Sequence, residues 1–337
     1  MDDTVLTSEA DLIAVLAPLT AGAPGALGLR DDCAQLSPRP GFDLVLKCDP
    51  VRAGVHFFVD DPPDAVAWKA LAVNVSDLAA KGAVPVGYLM ALSFPEAPTR
   101  AWMAAFAHGL GEAQSAFGCH LMGGDTDRAP GPLSIGITVI GEVPAGRMVQ
   151  RATAQVGDAL YVSGTLGDAG LGLQLHREAR EGRRDLRDRW GLTDYQTDYF
   201  AARYLRPQPR LDLSLLVRQF ASAAMDVSDG LVKDLERMCS ASGTGAEIDS
   251  ALIEWSPAMV IVMRQQPELF SRILSAGDDY EILAAVPTDQ MAAFEAMARR
   301  GSTPVHRIGR IVDCAGVRVM RIDGTEIAFD RKGWEHF

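Results

Sequence analysis

Carboxylates recur in one setting along this chain, directly after a short apolar run and beside small residues. Asp49 closes LVLKCD (44–49), Asp125 and Asp127 follow CHLMGG, and Asp226 and Asp229 follow ASAAM. Asp31 and Asp32 occupy the turn after Leu27-Gly28-Leu29. Strand C-termini are where α/β proteins commonly build sites, and carboxylates gathered there need a counter-charge. Aspartate also suits turns and helix N-caps, so a single one says little. The recurrence says more, because Asn or Ser would cap as well. Carboxylates without clustered His or Cys favour hard oxygen-ligand cations, Mg²⁺ above all where phosphates complete the coordination.

Residues 64–82 add an independent sign. Asn74, Asp77 and Lys81 stand three and four apart and form one polar stripe on a predicted helix that is otherwise mostly Ala, Val and Leu. Such a stripe either lines a site or is the helix's solvent-facing strip. The six histidines show no HExxH pattern, which argues against a zinc hydrolase. A Walker P-loop and a strict GxGxxG are both absent. GTLGDAGLG (164–172) stands between a predicted strand and helix and could turn backbone N–H groups toward a phosphate. Arg151, shortly before it, is either a phosphate partner or a solvated surface arginine.

The elements that position these residues read as mixed α/β in two halves. In the first, helices are predicted over 8–19, 64–82 and 99–117, and strands over 44–48, 86–94, 119–122 and 133–143. Residues 144–157 read as a boundary, giving domains of 1–146 and 147–337. In the second, strands are predicted over 159–163, 222–226, 246–248, 280–286 and 305–311, with a closing hairpin over 317–329. Helices are predicted over 169–180, 209–220, 230–242 and 288–299. The densely charged stretch 181–198 reads as an exposed, mobile excursion. The chain's 337 residues suit about two domains of ~150 each. With 48% hydrophobic and 23% charged residues the composition is that of a globular protein. No apolar run reaches the ~18–20 residues of a membrane span. A net charge of −12 argues against a general nucleic-acid binder. Five scattered cysteines without a CxxC pair, together with an acidic N-terminus, point to free thiols in the cytoplasm.

Taken together, the motifs resemble the thiamine-monophosphate kinases, a branch of the superfamily that includes aminoimidazole ribonucleotide synthetase. The matching segments are RDDCAQL (30–36), DPVRAGVHF (49–57), KALAVNVSDLAAKGAVP (69–85), GGDTDR (123–128), SGTLGDAGLGL (163–173), MDVSDGL (225–231), GDDYEI (277–282) and GWEHF (333–337). They follow the family's order over nearly the whole chain. The resemblance implies an N-terminal α/β domain that pairs its sheet with a second subunit in a homodimer. It also implies a C-terminal α/β domain, with the nucleotide in the cleft between the two.

The same resemblance implies magnesium ligands at Asp32, Asp49, Asp77, Asp125, Asp226 and Asp229. Cys48 stands where the family has an oxygen-bearing Ser or Thr ligand. Gly124, Asp125, Arg151 and Ser228 would meet ATP, and His56, Glu281 and Trp334 would contact thiamine monophosphate. An indole such as Trp334 suits a cationic thiazolium through stacking and cation–π attraction. The implied reaction is direct transfer of the γ-phosphoryl group of ATP to the phosphate of thiamine monophosphate, assisted by several Mg²⁺ ions and needing no dedicated base. The alternatives are another ATP-dependent enzyme of the superfamily or a nucleotide- or thiamine-phosphate-binding protein with little catalysis. This sequence departs from the family pattern at Arg30, at Lys47-Cys48, at Pro50 and at Arg52-Ala53. Lys47 beside the carboxylates suggests an ammonium taking the place of one cation.

Overall fold

The computed structural model describes residues 2–335, so His336 and Phe337 of the GWEHF segment lie outside the described residues. The chain forms two compact units, Met1–Leu78 with Ala83–Arg147 and Ala79–Gly82 with Met148–Phe337.

In the first unit, helix α1 (Glu9–Leu16) starts at Ser8, whose hydroxyl accepts the N–H of Asp11. Then follow β1 (Phe42–Arg52), α2 (Pro63–Ala80), β2 (Val84–Phe94), α3 (Arg100–Phe117), β3 (His120–Arg128) and β4 (Ser134–Pro144). The strands form one sheet in the order β1-β4-β2-β3, with β2 and β3 parallel and the other pairs antiparallel. Helix α3 is bounded by Thr99, which accepts from the N–H of Trp102, and by Gly118 in the left-handed region. Strand alternation gives the sheet two unlike faces. Val45, Val51, Met90, Leu92, Ile135, Ile137 and Val139 are buried on one. On the other, Leu44, Leu46 and Leu89 are exposed, Leu46 by 65%.

The strands β1 and β3 run further than the sequence suggested. Asp49 lies inside β1, paired with Ile137, and Asp125 lies inside β3, paired with Ala91. The expectation that these two carboxylates follow the ends of their strands is therefore corrected. Glycine and aspartate are poor strand formers, but ladder bonds from β2 and β4 override that preference.

The second unit has a six-stranded sheet in the order β10-β7-β9-β5-β8-β6. Its elements are β5 (Ala159–Ser163), α4 (Asp168–Arg180), α5 (Asp185–Arg189), α6 (Asp194–Leu205), α7 (Ser214–Phe220), β6 (Ala223–Val227) and α8 (Leu231–Ser242). They continue with β7 (Gly245–Asp249), α9 (Pro257–Gln265), α10 (Phe270–Leu274), β8 (Glu281–Val286), α11 (Met291–Ala298), β9 (Val305–Val312) and β10 (Gly316–Met320). Both faces of its central strands are covered. Leu160, Val162, Met225, Val227, Leu283 and Ala285 pack with α8 residues such as Leu235 and Met238. The alternate residues Tyr161, Ala224, Ile282 and Ala284 pack with Leu216, Val217 and Phe294.

Two further expectations change here. The stretch 181–198 is not a mobile excursion: α5 and the start of α6 lie within it, and Trp190 and Leu192 are buried beside Phe200, Met259 and Val262. A Thr193/Gln196 capping box starts α6. The closing hairpin is shorter than expected. β10 pairs in parallel with β7, and the chain folds back on it through the antiparallel bridge Met320–Glu326, where the N–H groups of Ile327 and Arg321 donate to the carbonyls of Val319 and Thr325.

Candidate functional site

In the first unit the carboxylates of Asp49 and Asp77 converge on one cation, and that cation is Lys47. Its ammonium lies 3.0 Å from Asp49 Oδ2 and 2.9 Å from Asp77 Oδ2. Lys47 and Asp49 are two apart on β1 and so share a face, while Asp77 reaches them from α2. Asn74, nearly one turn before Asp77 and wholly buried, fixes the meeting of helix and strand. Its Oδ1 accepts the N–H of Asp49 at 2.8 Å, and its Nδ2 donates to the Asp49 carbonyl at 3.2 Å. Asn74 thus attaches α2 to β1, while Lys81 lies just past the end of α2. Lys81, grouped with the second unit, donates to the Ala224 carbonyl at 2.7 Å. Partial burial disfavours the Lys47 charge, but Asp77 and Asp49 outweigh it and hold its pKa above the ordinary ammonium range.

Asp125 is not part of this pair. Asp49, Ile137, Met90 and Gly124 form one row across the sheet, and Asp125 belongs to the next. Its side chain therefore leaves from the opposite face, with β1 and β3 at opposite edges about 14 Å apart at ~4.8 Å per strand. Asp125 Oδ1 accepts the N–H of Thr126 at 2.9 Å, and Asp32 lies exposed in the loop before β1. Cys48 alternates away from Lys47 and Asp49, and its thiol is exposed. Its side chain therefore leaves from the face opposite that pair. At Gly124 a Cβ would come within 1.8 Å of the Met90 carbonyl, so close strand approach alone demands glycine there. His56 sits in the turn after β1, where its Nδ1 accepts the N–H of Arg52 at 3.0 Å.

The second unit gathers its candidate residues at one end of β6 and β8. Asp226 is buried in β6, and Val227 pairs with Glu281. The following turn is held by a residue the sequence reading missed. Asp234, in the first turn of α8, accepts the N–H groups of Ser228 and Asp229 at 2.9 and 2.8 Å. Burial pushes its carboxyl up to about 6. Asp229 pairs with Arg237 at 2.7 Å and with Lys233 at 3.5 Å. Trp334, 53% exposed, is tied here by its N–H to the Asp229 carbonyl at 3.0 Å, and the Lys233 ammonium donates to the Trp334 carbonyl.

Glu281 has no exposed surface. It accepts from Ser163 Oγ at 2.6 Å, Arg203 Nη2 at 2.8 Å and Arg210 Nε at 2.7 Å. Beside it Asp279, pushed well above the usual carboxylate range by burial, accepts the N–H of Gly167 at 2.7 Å. Asp278 and Tyr280 donate their N–H groups to the carbonyls of Ser228 and Val227. The GTLGD and GDDYE segments and the turn after β6 are therefore one hydrogen-bonded assembly. A Cβ on Gly164, whose φ is +56°, would strike the Glu281 carboxylate at 2.3 Å. Nothing in the RYLRPQPR segment (203–210) marked Arg203 and Arg210 in advance, because their partner lies 78 and 71 residues away. Arg151 stands apart: its carbonyl accepts from Ser242 Oγ, at the far end of α8, about 18 Å of helix from Asp229.

Among the described residues, no three His, Cys, Asp or Glu side chains come together as a metal site. The exposed oxygens of Asp32 and Asp125 suit a hard cation, whereas the Asp49–Asp77 pair, as arranged, already holds an ammonium. No helix among the described residues is long and apolar enough to cross a membrane.

Residues 30–143 match the N-terminal domain of the AIR synthase related proteins, and residues 155–322 match the C-terminal domain. The chain is 40% identical over 333 residues to a thiamine-monophosphate kinase of Caulobacter vibrioides, covering 98% of this chain and 91% of that one. It is 38% identical to its counterpart in Escherichia coli K12, over 92% of each chain. Among solved structures, the thiamine-monophosphate kinase of Stenotrophomonas maltophilia K279a superposes with a TM-score of 0.82 at 38% identity, over 95% of this chain and 98% of that one. AaThiL complexed with AMPPCP and TMP superposes with a TM-score of 0.76 at 30% identity, over 98% and 97%.

Proposed function

Because the chain belongs to the AIR synthase related family, and within it to the thiamine-monophosphate kinases, we propose that it transfers the γ-phosphoryl group of ATP to the phosphate of thiamine monophosphate. One observation carries this reading: a relative of the same fold, alike over nearly its whole length, is a complex with AMPPCP and TMP. The products are thiamine diphosphate and ADP.

The acceptor is an ionised phosphate oxygen at neutral pH, so no side chain need remove a proton. The obstacle is charge. Two unit charges ~4 Å apart repel by about 4 kcal/mol at an effective dielectric near 20, and two polyanions bring several such pairs together. Magnesium, when bound, neutralises those oxygens and favours an in-line approach. Asp32 and Asp125 are the carboxylates best suited to it. Asp226 and Asp229 would be further ligands, Asp229 being paired here with Arg237 and Lys233. Gly124, Ser228 and the exposed Arg151 are assigned to ATP, and His56 and Trp334 to the thiamine phosphate. Glu281, enclosed by Ser163 and two arginines, acts as a positioning residue that holds the GDDYE segment against Ser163, Arg203 and Arg210. Pairing of the N-terminal sheet with a second copy belongs to the same proposal and is supported by the exposed Leu44, Leu46 and Leu89. The free cysteines suit a reducing, cytoplasmic setting.

The purified chain, given ATP, Mg²⁺ and thiamine monophosphate, is expected to yield thiamine diphosphate and ADP in equal amounts by chromatography. Thiamine in place of its monophosphate should yield neither. ATP bound but no diphosphate formed would overturn the proposal in favour of a binding protein or a sibling enzyme.

A further inference from the structure

We propose that Lys47 is a resident cation of the carboxylate pair Asp49–Asp77, occupying with its ammonium the seat that a divalent ion would otherwise take. The geometry is specific. The Lys47 ammonium lies 3.0 and 2.9 Å from the Oδ2 atoms of Asp49 and Asp77, so a magnesium ion bonded to the same two oxygens at ~2.0–2.1 Å competes with it for both. The pair is also preset: Asn74 grips the Asp49 peptide from both sides, so α2 delivers Asp77 to the same point whether or not an ion is present. Asp49 and Asp77 together carry two negative charges, of which Lys47 cancels one. A divalent ion arriving there must first break both Lys47 pairs, and that cost is subtracted from its own attraction, so the seat binds it weakly while Lys47 is present.

This inference rests on the phosphoryl-transfer reading only for the involvement of divalent ions, and it is tested with the metal alone, without nucleotide or acceptor. Failure of the kinase assay therefore leaves it standing. Mn²⁺ would be titrated into the full-length protein and the free ion followed by electron paramagnetic resonance. Lys47→Met should take up one more Mn²⁺ per chain than the parent, or bind its Mn²⁺ about tenfold more tightly. Lys47→Arg, which keeps the charge, should behave as the parent does. Equal stoichiometry and affinity in Lys47→Met and the parent would overturn the proposal.

Two further measurements guard against a variant that folds poorly. The melting temperature of Lys47→Met should fall in EDTA and recover with Mg²⁺, by more than the parent's own response, and an equal response in both proteins would contradict the inference. Asp77→Asn in the parent background should leave Mn²⁺ stoichiometry unchanged, because no divalent ion sits there to be lost. Loss of one Mn²⁺ in that variant would refute the resident cation directly.

Discussion

A glutamate with no exposed surface needs its oxygens met by other groups, and Glu281 has two guanidiniums, Arg203 and Arg210, and the Ser163 hydroxyl. Removing one partner of such a buried set leaves uncompensated charge and costs about 3–5 kcal/mol. Glu281→Ala should therefore lower the urea midpoint sharply, and Glu281→Gln less so. A near-parental midpoint for the alanine variant would show that the two arginines find water instead. Asp234 makes a pH prediction. Its folded carboxyl titrates at about 6, against roughly 3.9 for an unfolded aspartate. Between those values the folded chain keeps a proton that the unfolded chain releases. The group's contribution to stability is thus complete below about pH 4 and is lost as pH rises through 6. Asp234→Asn should remove that slope, read as urea midpoints for both proteins at pH 4.5, 5.5 and 7. At this scale the motif aspartates were legible because they recur beside small residues. Asp234 and the two arginines were not, since nothing local distinguishes an aspartate that caps a turn from one that faces solvent.

Among the elements, the stretch from 181 to 198 shows how composition can mislead. Its arginines and aspartates read as solvated, yet Trp190 is 2% exposed in a cluster with Leu175, Phe200 and Val262. Asp168 ties the neighbouring helices together, accepting from Tyr199 OH at 2.7 Å and Ser256 Oγ at 2.7 Å. Trp190→Ala should cost about 3–5 kcal/mol, measured by urea denaturation. A cost under about 1 kcal/mol would mean that the segment is peripheral after all. The well-patterned elements were readable from periodicity and caps, with α3 bounded by Thr99 and Gly118 as a clear case. β3 was underestimated because its second half, GGDTDR, carries turn-forming residues that only the parallel partner β2 holds extended.

For the whole molecule, the two-part α/β plan was legible from the order of its strands and helices, and the family from the order of its motifs. What a single chain leaves unsatisfied is the outer face of the first sheet, where Leu44, Leu46 and Leu89 lie exposed. Apolar residues gathered on one sheet face support the proposed pairing with a second copy. Leu46→Asp combined with Leu89→Asp should convert a dimer into monomers in sedimentation velocity while leaving the circular dichroism spectrum unchanged. A parent that sediments as a monomer would remove the pairing proposal.

The central claim is direct phosphoryl transfer to thiamine monophosphate, and a single-turnover experiment with ATP labelled in its γ-phosphate tests it most directly. The label should pass in one phase to the terminal phosphate of thiamine diphosphate, with none retained on the protein at any time. Label appearing first on the chain and then chasing into product, or leaving as inorganic phosphate, would contradict the account.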